Sequence, residues 1–124
     1  MADRSSGYLR KLVHRLTSSA EELDADDLCE KARQLGADQA ATCSSGEEVT
    51  VVGRLRSVEI SPRDCAALEA ELYDGTDAVT LVWLGRRKIP GIEPGRTIKV
   101  RGRIAERDGH KVLYNPFYEL QTPV

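Results

Sequence analysis

Leu68-Glu69-Ala70-Glu71-Leu72-Tyr73-Asp74-Gly75-Thr76-Asp77-Ala78-Val79-Thr80-Leu81-Val82-Trp83-Leu84 is the stretch from which the rest of the chain is read. Leu68, Ala70 and Leu72 alternate with Glu69, Glu71 and Tyr73. Val79, Leu81 and Trp83 alternate with Thr80, Val82 and Leu84. A period of two sends successive side chains to opposite faces, so each run predicts a strand with one buried face. Asp74-Gly75-Thr76-Asp77 between them carries the glycine that a tight hairpin turn needs. Trp83 shares parity with Val79 and Leu81 and is expected in the core. Glu69 and Glu71 are expected outside, beside an outward apolar group of Tyr73, Val82 and Leu84.

The pattern continues in both directions. Upstream, Val49, Val51 and Leu55 alternate around Gly53, and Val58 and Ile60 follow on the other parity. A glycine inside a strand that changes phase predicts a bulge or sharp bend at that point. Downstream, residues 85–95 form a long connection holding Gly85, Pro90, Gly91, Pro94 and Gly95. Ile98, Val100, Gly102 and Ile104 then alternate with Lys99, Arg101 and Arg103. Arg107-Asp108-Gly109-His110 predicts a second hairpin turn, and a last strand from Lys111 to Leu120 is interrupted at Pro116.

Five strands with a tight second-to-third hairpin, a long third-to-fourth connection and a tight fourth-to-fifth hairpin are the layout of an OB-fold. That is a five-stranded Greek-key barrel. Gly53 and Gly102 lie where such a small barrel must bend. The stretches Val51-Val52-Gly53-Arg54-Leu55, Leu72-Tyr73-Asp74-Gly75-Thr76, Val79-Thr80-Leu81-Val82-Trp83-Leu84, Glu93-Pro94-Gly95-Arg96, Val100-Arg101-Gly102-Arg103-Ile104 and Tyr114-Asn115-Pro116-Phe117-Tyr118 sharpen the likeness. Residues 49–120 resemble an OB-fold nucleic-acid-binding domain of the anticodon-binding and RecG-wedge kind. The whole chain resembles small stand-alone bacterial OB-fold proteins of unassigned role. The resemblance implies nucleic-acid binding and, through the wedge, an accessory part in DNA repair or recombination. A motor is not implied, because the chain lacks a Gly-x-x-x-x-Gly-Lys-Ser/Thr loop.

Before the strands, Leu9, Leu12, Val13 and Leu16 line one helical face. A second helix is expected to start at Asp24, carry Leu28, Ala32 and Leu35 on one face, and stop at Gly36. Residues 37–47 read as a connector. The expected organisation is a helical extension over 1–47 and a mainly β barrel over 48–124. Hydrophobic residues make up 40% and charged residues 31% of the 124, a globular rather than a disordered balance. There is no apolar run long enough to span a bilayer and no secretory signal pattern at the start. Cys29, Cys43 and Cys65 form no close pair, which fits a reducing cytoplasm and neither a disulfide framework nor a zinc site.

The net charge of −2 conceals a sorting along the chain. Residues 61–84 hold one basic and five acidic groups, whereas residues 85–111 hold nine basic and three acidic groups, a local +6. No nucleophile, metal cluster or phosphate loop recommends an enzyme, and no cofactor is expected. A basic groove with aromatic platforms is what single-strand binding requires. Lys99, Arg101 and Arg103 share one outward parity, and Arg54 and Arg56 on the neighbouring strand extend that stripe. Arg86, Arg87 and Lys88 follow the third strand as a phosphate clamp, joined by Lys111 near the last hairpin. Tyr73 and Leu84 complete the expected nucleic-acid-binding set. The faces of Tyr114, Phe117 and Tyr118 stay open, because Pro116 breaks their parity. The expected partner is single-stranded or branched DNA, with RNA as an alternative. The competing expectation is a protein-interaction module, or a homodimer formed through the N-terminal helices, without direct nucleic-acid binding. No membrane partner is expected.

Overall fold

A computed structural model describes residues 24–61 and 66–121. The predicted first helix, with Leu9, Leu12, Val13 and Leu16, lies outside the described residues. Six strands follow one helix: β1 Glu48–Ser61, β2 Ala67–Tyr73, β3 Ala78–Leu84, β4 Thr97–Arg107, β5 His110–Tyr114 and β6 Phe117–Leu120. Strands β1 to β5 close a ring in the order β1-β2-β3-β5-β4, because β4 also pairs with β1. All of these pairings are antiparallel except β3 with β5, which is parallel. That is the strand order of the expected five-stranded Greek-key barrel. Strands β5 and β6 are the single interrupted strand of the sequence reading. Asn115 adopts φ +49 ahead of Pro116, and the chain then continues along the same neighbour, β4.

The inward parity is largely as expected. Val49, Val51, Leu55, Leu68, Ala70, Leu72, Val79, Leu81, Trp83, Ile98, Val100, Ile104 and Leu113 form one core cluster. Trp83 is buried, and its Nε1 donates to the Pro116 carbonyl at 3.1 Å, so the indole is satisfied inside the barrel. Tyr118 meets Trp83 edge to face, with ring centroids 5.9 Å apart.

The phase change in β1 falls two to three residues after the predicted place. Register shifts between Leu55 and Ser57, leaving Arg56 as the extra residue of a bulge. Gly53 has a different duty. A Cβ there would collide with the Tyr73 carbonyl, so the glycine permits close approach of the β2 end. Gly102 meets only ordinary contacts at Leu113 and Pro116, so no close approach demands it.

Residues 24–34 are helical (α1). Gly36, at φ +67, ends α1 with two bonds of a Schellman motif: Ala37 N–H to Ala32 at 2.8 Å and Gly36 N–H to Arg33 at 3.1 Å. Leu28 and Ala32 are buried, while Leu35 is only half-buried. Residues 37–47 are more than a connector. They contain a 3-10 turn, Ala40–Thr42, and place Ala40 and Cys43 in the core cluster. Asp74 draws them in. Its Oδ2 accepts the Ala40 N–H at 2.7 Å, while Oδ1 accepts from Thr76 N, Thr76 Oγ1 and Asp77 N. Ile89 and Ile92 enter the same core from the β3–β4 connection. No helix among the described residues is long and apolar enough to cross a membrane.

Candidate nucleic-acid interface

The outer side of β1 and β2 carries carboxylates. Glu59 lies directly opposite Glu69, and Glu71 lies opposite Ser57. Arg107 reaches from the end of β4 and donates through Nη2 to Glu69 Oε1 at 2.7 Å. That hydrogen bond is the main reason the guanidinium pKa is raised. Arg56 lies 3.7 Å from the Tyr73 ring centroid and also 3.7 Å from Glu71 Oε1. One face of the tyrosine is therefore occupied by a cation–π contact. Val82, expected as part of an outward apolar platform, is 2% exposed and clusters with Ala67 and Val112. The outward parity is correct, but cross-strand neighbours cover it. Leu84 remains 51% exposed, its N–H held by Asn115 Oδ1 at 2.8 Å.

Across β1 the chemistry reverses. Glu48, Thr50, Val52 and Arg54 pair in turn with Arg103, Arg101, Lys99 and Thr97. Arg101 and Lys99 have Phe117 and Glu119 of β6 on their other side. Phe117 is 72% exposed, and the Arg101 guanidinium carbon lies 5.3 Å from its ring centroid. Thr50, Lys99, Arg101, Phe117, Tyr118 and Glu119 border a shallow cleft of about 270 Å³. Arg103 donates to the Gly46 carbonyl at 2.5 Å, and Arg101 Nε lies 4.0 Å from Glu48 Oε1. Both members of the Arg101–Glu48 pair are well exposed, and such a pair contributes at most about 1 kcal/mol.

The remaining expected site residues do not gather on one surface. Arg54 continues the β4 row but is ion-paired with Asp24 of α1. Lys111 donates to the Ala40 carbonyl at 2.5 Å and lies 3.7 Å from Asp77 Oδ2, at the β2–β3 turn. Arg86, Arg87 and Lys88 are exposed after the opposite end of β3. The seven residues of that strand span roughly 20 Å. The joint clamp expected from Arg86–Lys88 and Lys111 is therefore not assembled, because the two groups stand at opposite ends of the barrel.

Phe117 is the candidate that the sequence reading could not place. The signal lies in the Asn115-Pro116 kink, after which β6 restarts its alternation against Arg101. Cys29 and Cys43 line no such surface chemistry. Burial, reinforced by nearby Asp74 and Asp26 for Cys29 and by Asp38 and Glu47 for Cys43, raises both thiol pKa values. Among the described residues no group of three His, Cys, Asp or Glu side chains is arranged to hold a metal. Neither a scan against protein-family models nor a search of curated proteins finds a match to this chain.

Proposed function

We propose that this protein binds single-stranded or branched DNA on the outer face of β4 and β6. One observation carries the reading: an exposed Phe117 sits beside Arg101, in line with Lys99 and Arg103. An unstacked base takes the open face of Phe117, and the three cations take the phosphates on either side of it. Stacking of this kind contributes about 1–3 kcal/mol per base and tolerates any sequence. Phosphate displaces the weak Glu48 contact from Arg101 at small cost. The β1–β2 side is unsuited to the same ligand, because Glu59, Glu69 and Glu71 would meet each phosphate with like charge. The protein acts as a binding module, and its place in repair or recombination rests on the wedge resemblance alone.

The test is fluorescence anisotropy with a short labelled single-stranded oligonucleotide at two salt concentrations. Binding should weaken steeply with salt, and R101A should flatten the slope. Wild-type affinity in a variant carrying both R101A and F117A would remove this face from the site.

A further inference from the structure

Beyond the nucleic-acid reading, and independent of it, the end of the barrel where β1 and β2 meet the β3–β4 connection holds a groove of about 360 Å³. Its floor is aliphatic: Val58 and Ile60 from β1, Leu68 from β2, and Ile89 and Ile92 from the connection. Ile60 is 54% exposed although it pairs with the core residue Leu68. Arg87 and Lys88 border the groove, with Arg86 beside them in sequence. Among the described residues none of these three cations has a carboxylate within 4.0 Å.

The connection is held in place although it has no regular structure. The Gly85 N–H bonds the Ala66 carbonyl at 2.7 Å, and Ile92 N–H bonds Ile89 at 3.0 Å. Gly91, at φ +85, lies so close to Leu120 that a Cβ would collide with it. Buried Ile89 and Ile92 then anchor the segment in the core. The backbone that carries the cations is therefore anchored on both sides of them, which lowers the ordering cost of binding.

We infer that this groove docks an acidic protein segment that inserts one apolar side chain against Ile60 and Leu68 while its carboxylates face Arg86, Arg87 and Lys88. Charge complementarity selects an acidic ligand. The aliphatic floor selects a protein over a nucleic acid, since no aromatic ring borders the groove to stack a base. Glu59 also borders the groove, so the carboxylates of the segment lie on the Arg87 and Lys88 side of it.

The probe is a fluorescein-labelled ten-residue peptide of alternating Asp and Leu with one central Phe, read by anisotropy against the full chain. Its counterpart with Lys in place of every Asp is the control. The acidic peptide should bind and the basic one should not. R87E combined with K88E should weaken the acidic peptide by about ten-fold or more. I60D should also weaken it, and because Ile60 is exposed the fold should survive, which circular dichroism melting checks. F117A should leave peptide binding unchanged while weakening the oligonucleotide, so the two readings fail separately. Equal binding of both peptides, wild-type binding by the R87E and K88E double variant, or loss of oligonucleotide rather than peptide in that variant would each overturn the inference.

Discussion

Strands β2 and β4 are both neighbours of β1, and they present opposite chemistry to solvent. On the β2 side, Glu59, Glu69 and Glu71 stand together, and the arginines that reach them, Arg56 and Arg107, are engaged in holding them. On the β4 side, Lys99 and Arg101 stand beside an exposed phenylalanine with Glu48 and Glu119 as neighbours, and Arg103 at the end of the row donates to the Gly46 carbonyl. The difference teaches that a basic count does not locate an anion site. Arg107 and Lys111 both belong to the +6 segment, yet each is committed to an internal partner. Available charge is charge that the fold has not already paired.

The largest effect expected from testing this contrast is on stability. Asp74 and Glu71 are both carboxylates near the end of the acidic strand, but Asp74 is buried and accepts four hydrogen bonds. D74A should destabilise the fold by about 3 kcal/mol, because it leaves the buried Ala40 N–H and three part-buried donors without a partner. E71A should stay within about 1 kcal/mol of wild type, since its Arg56 pair is exposed. Urea denaturation of both variants would contradict this account if the two losses were equal.

Next come the binding variants. F117A should weaken the oligonucleotide by roughly ten-fold, the lower part of the range for one lost stack. Substituting E69Q together with E71Q should change that affinity little, because the ligand does not touch the acidic side. A large gain in the double glutamine variant would mean that the β2 face also binds, and would erase the contrast drawn here.

A smaller effect is expected from R107M, which removes the bridge to Glu69 and leaves that carboxylate half-buried without its cation. The loss should be below about 1 kcal/mol, given how much of the arginine remains in water. Thermal melting resolves a change of this size in a domain this small.

The smallest concerns Cys29, whose neighbours Asp74 and Asp26 add to the effect of burial. A raised pKa means less thiolate at pH 7, so alkylation followed by peptide mapping should be slower than for free cysteine. The rate should climb as pH rises toward the elevated pKa. Fast labelling at pH 7 would show that neither burial nor the nearby carboxylates hold the thiol protonated.

Much of the barrel is legible in residue order. The alternation of Leu68 to Leu84 places Trp83 inside, and the glycine of Asp74-Gly75 places the turn. The break at Pro116 divides the last strand. These are local consequences of a two-residue period and of backbone sterics, and neither depends on what lies across the sheet. The bulge lies at Arg56 and not at Gly53, whose absent side chain serves close approach to Tyr73. A glycine needed for close approach and a glycine needed for a bend leave the same letter.

The candidate surface is less legible, and the reason is pairing. Outward parity put Val82 and Leu84 on the same expected platform, but only the register with Glu69 and Tyr114 buries Val82. Likewise Phe117 becomes a neighbour of Arg101 only when β6 returns along β4, sixteen positions later in the chain. The order of residues dictates strands, turns and which side of a strand each residue takes, since these follow from bonds and sterics within a few residues. Which charges remain free, and which aromatic stands beside them, follows from contacts between strands far apart in the chain. The pairing of those strands, around the ring and along β6, brings the contacts about.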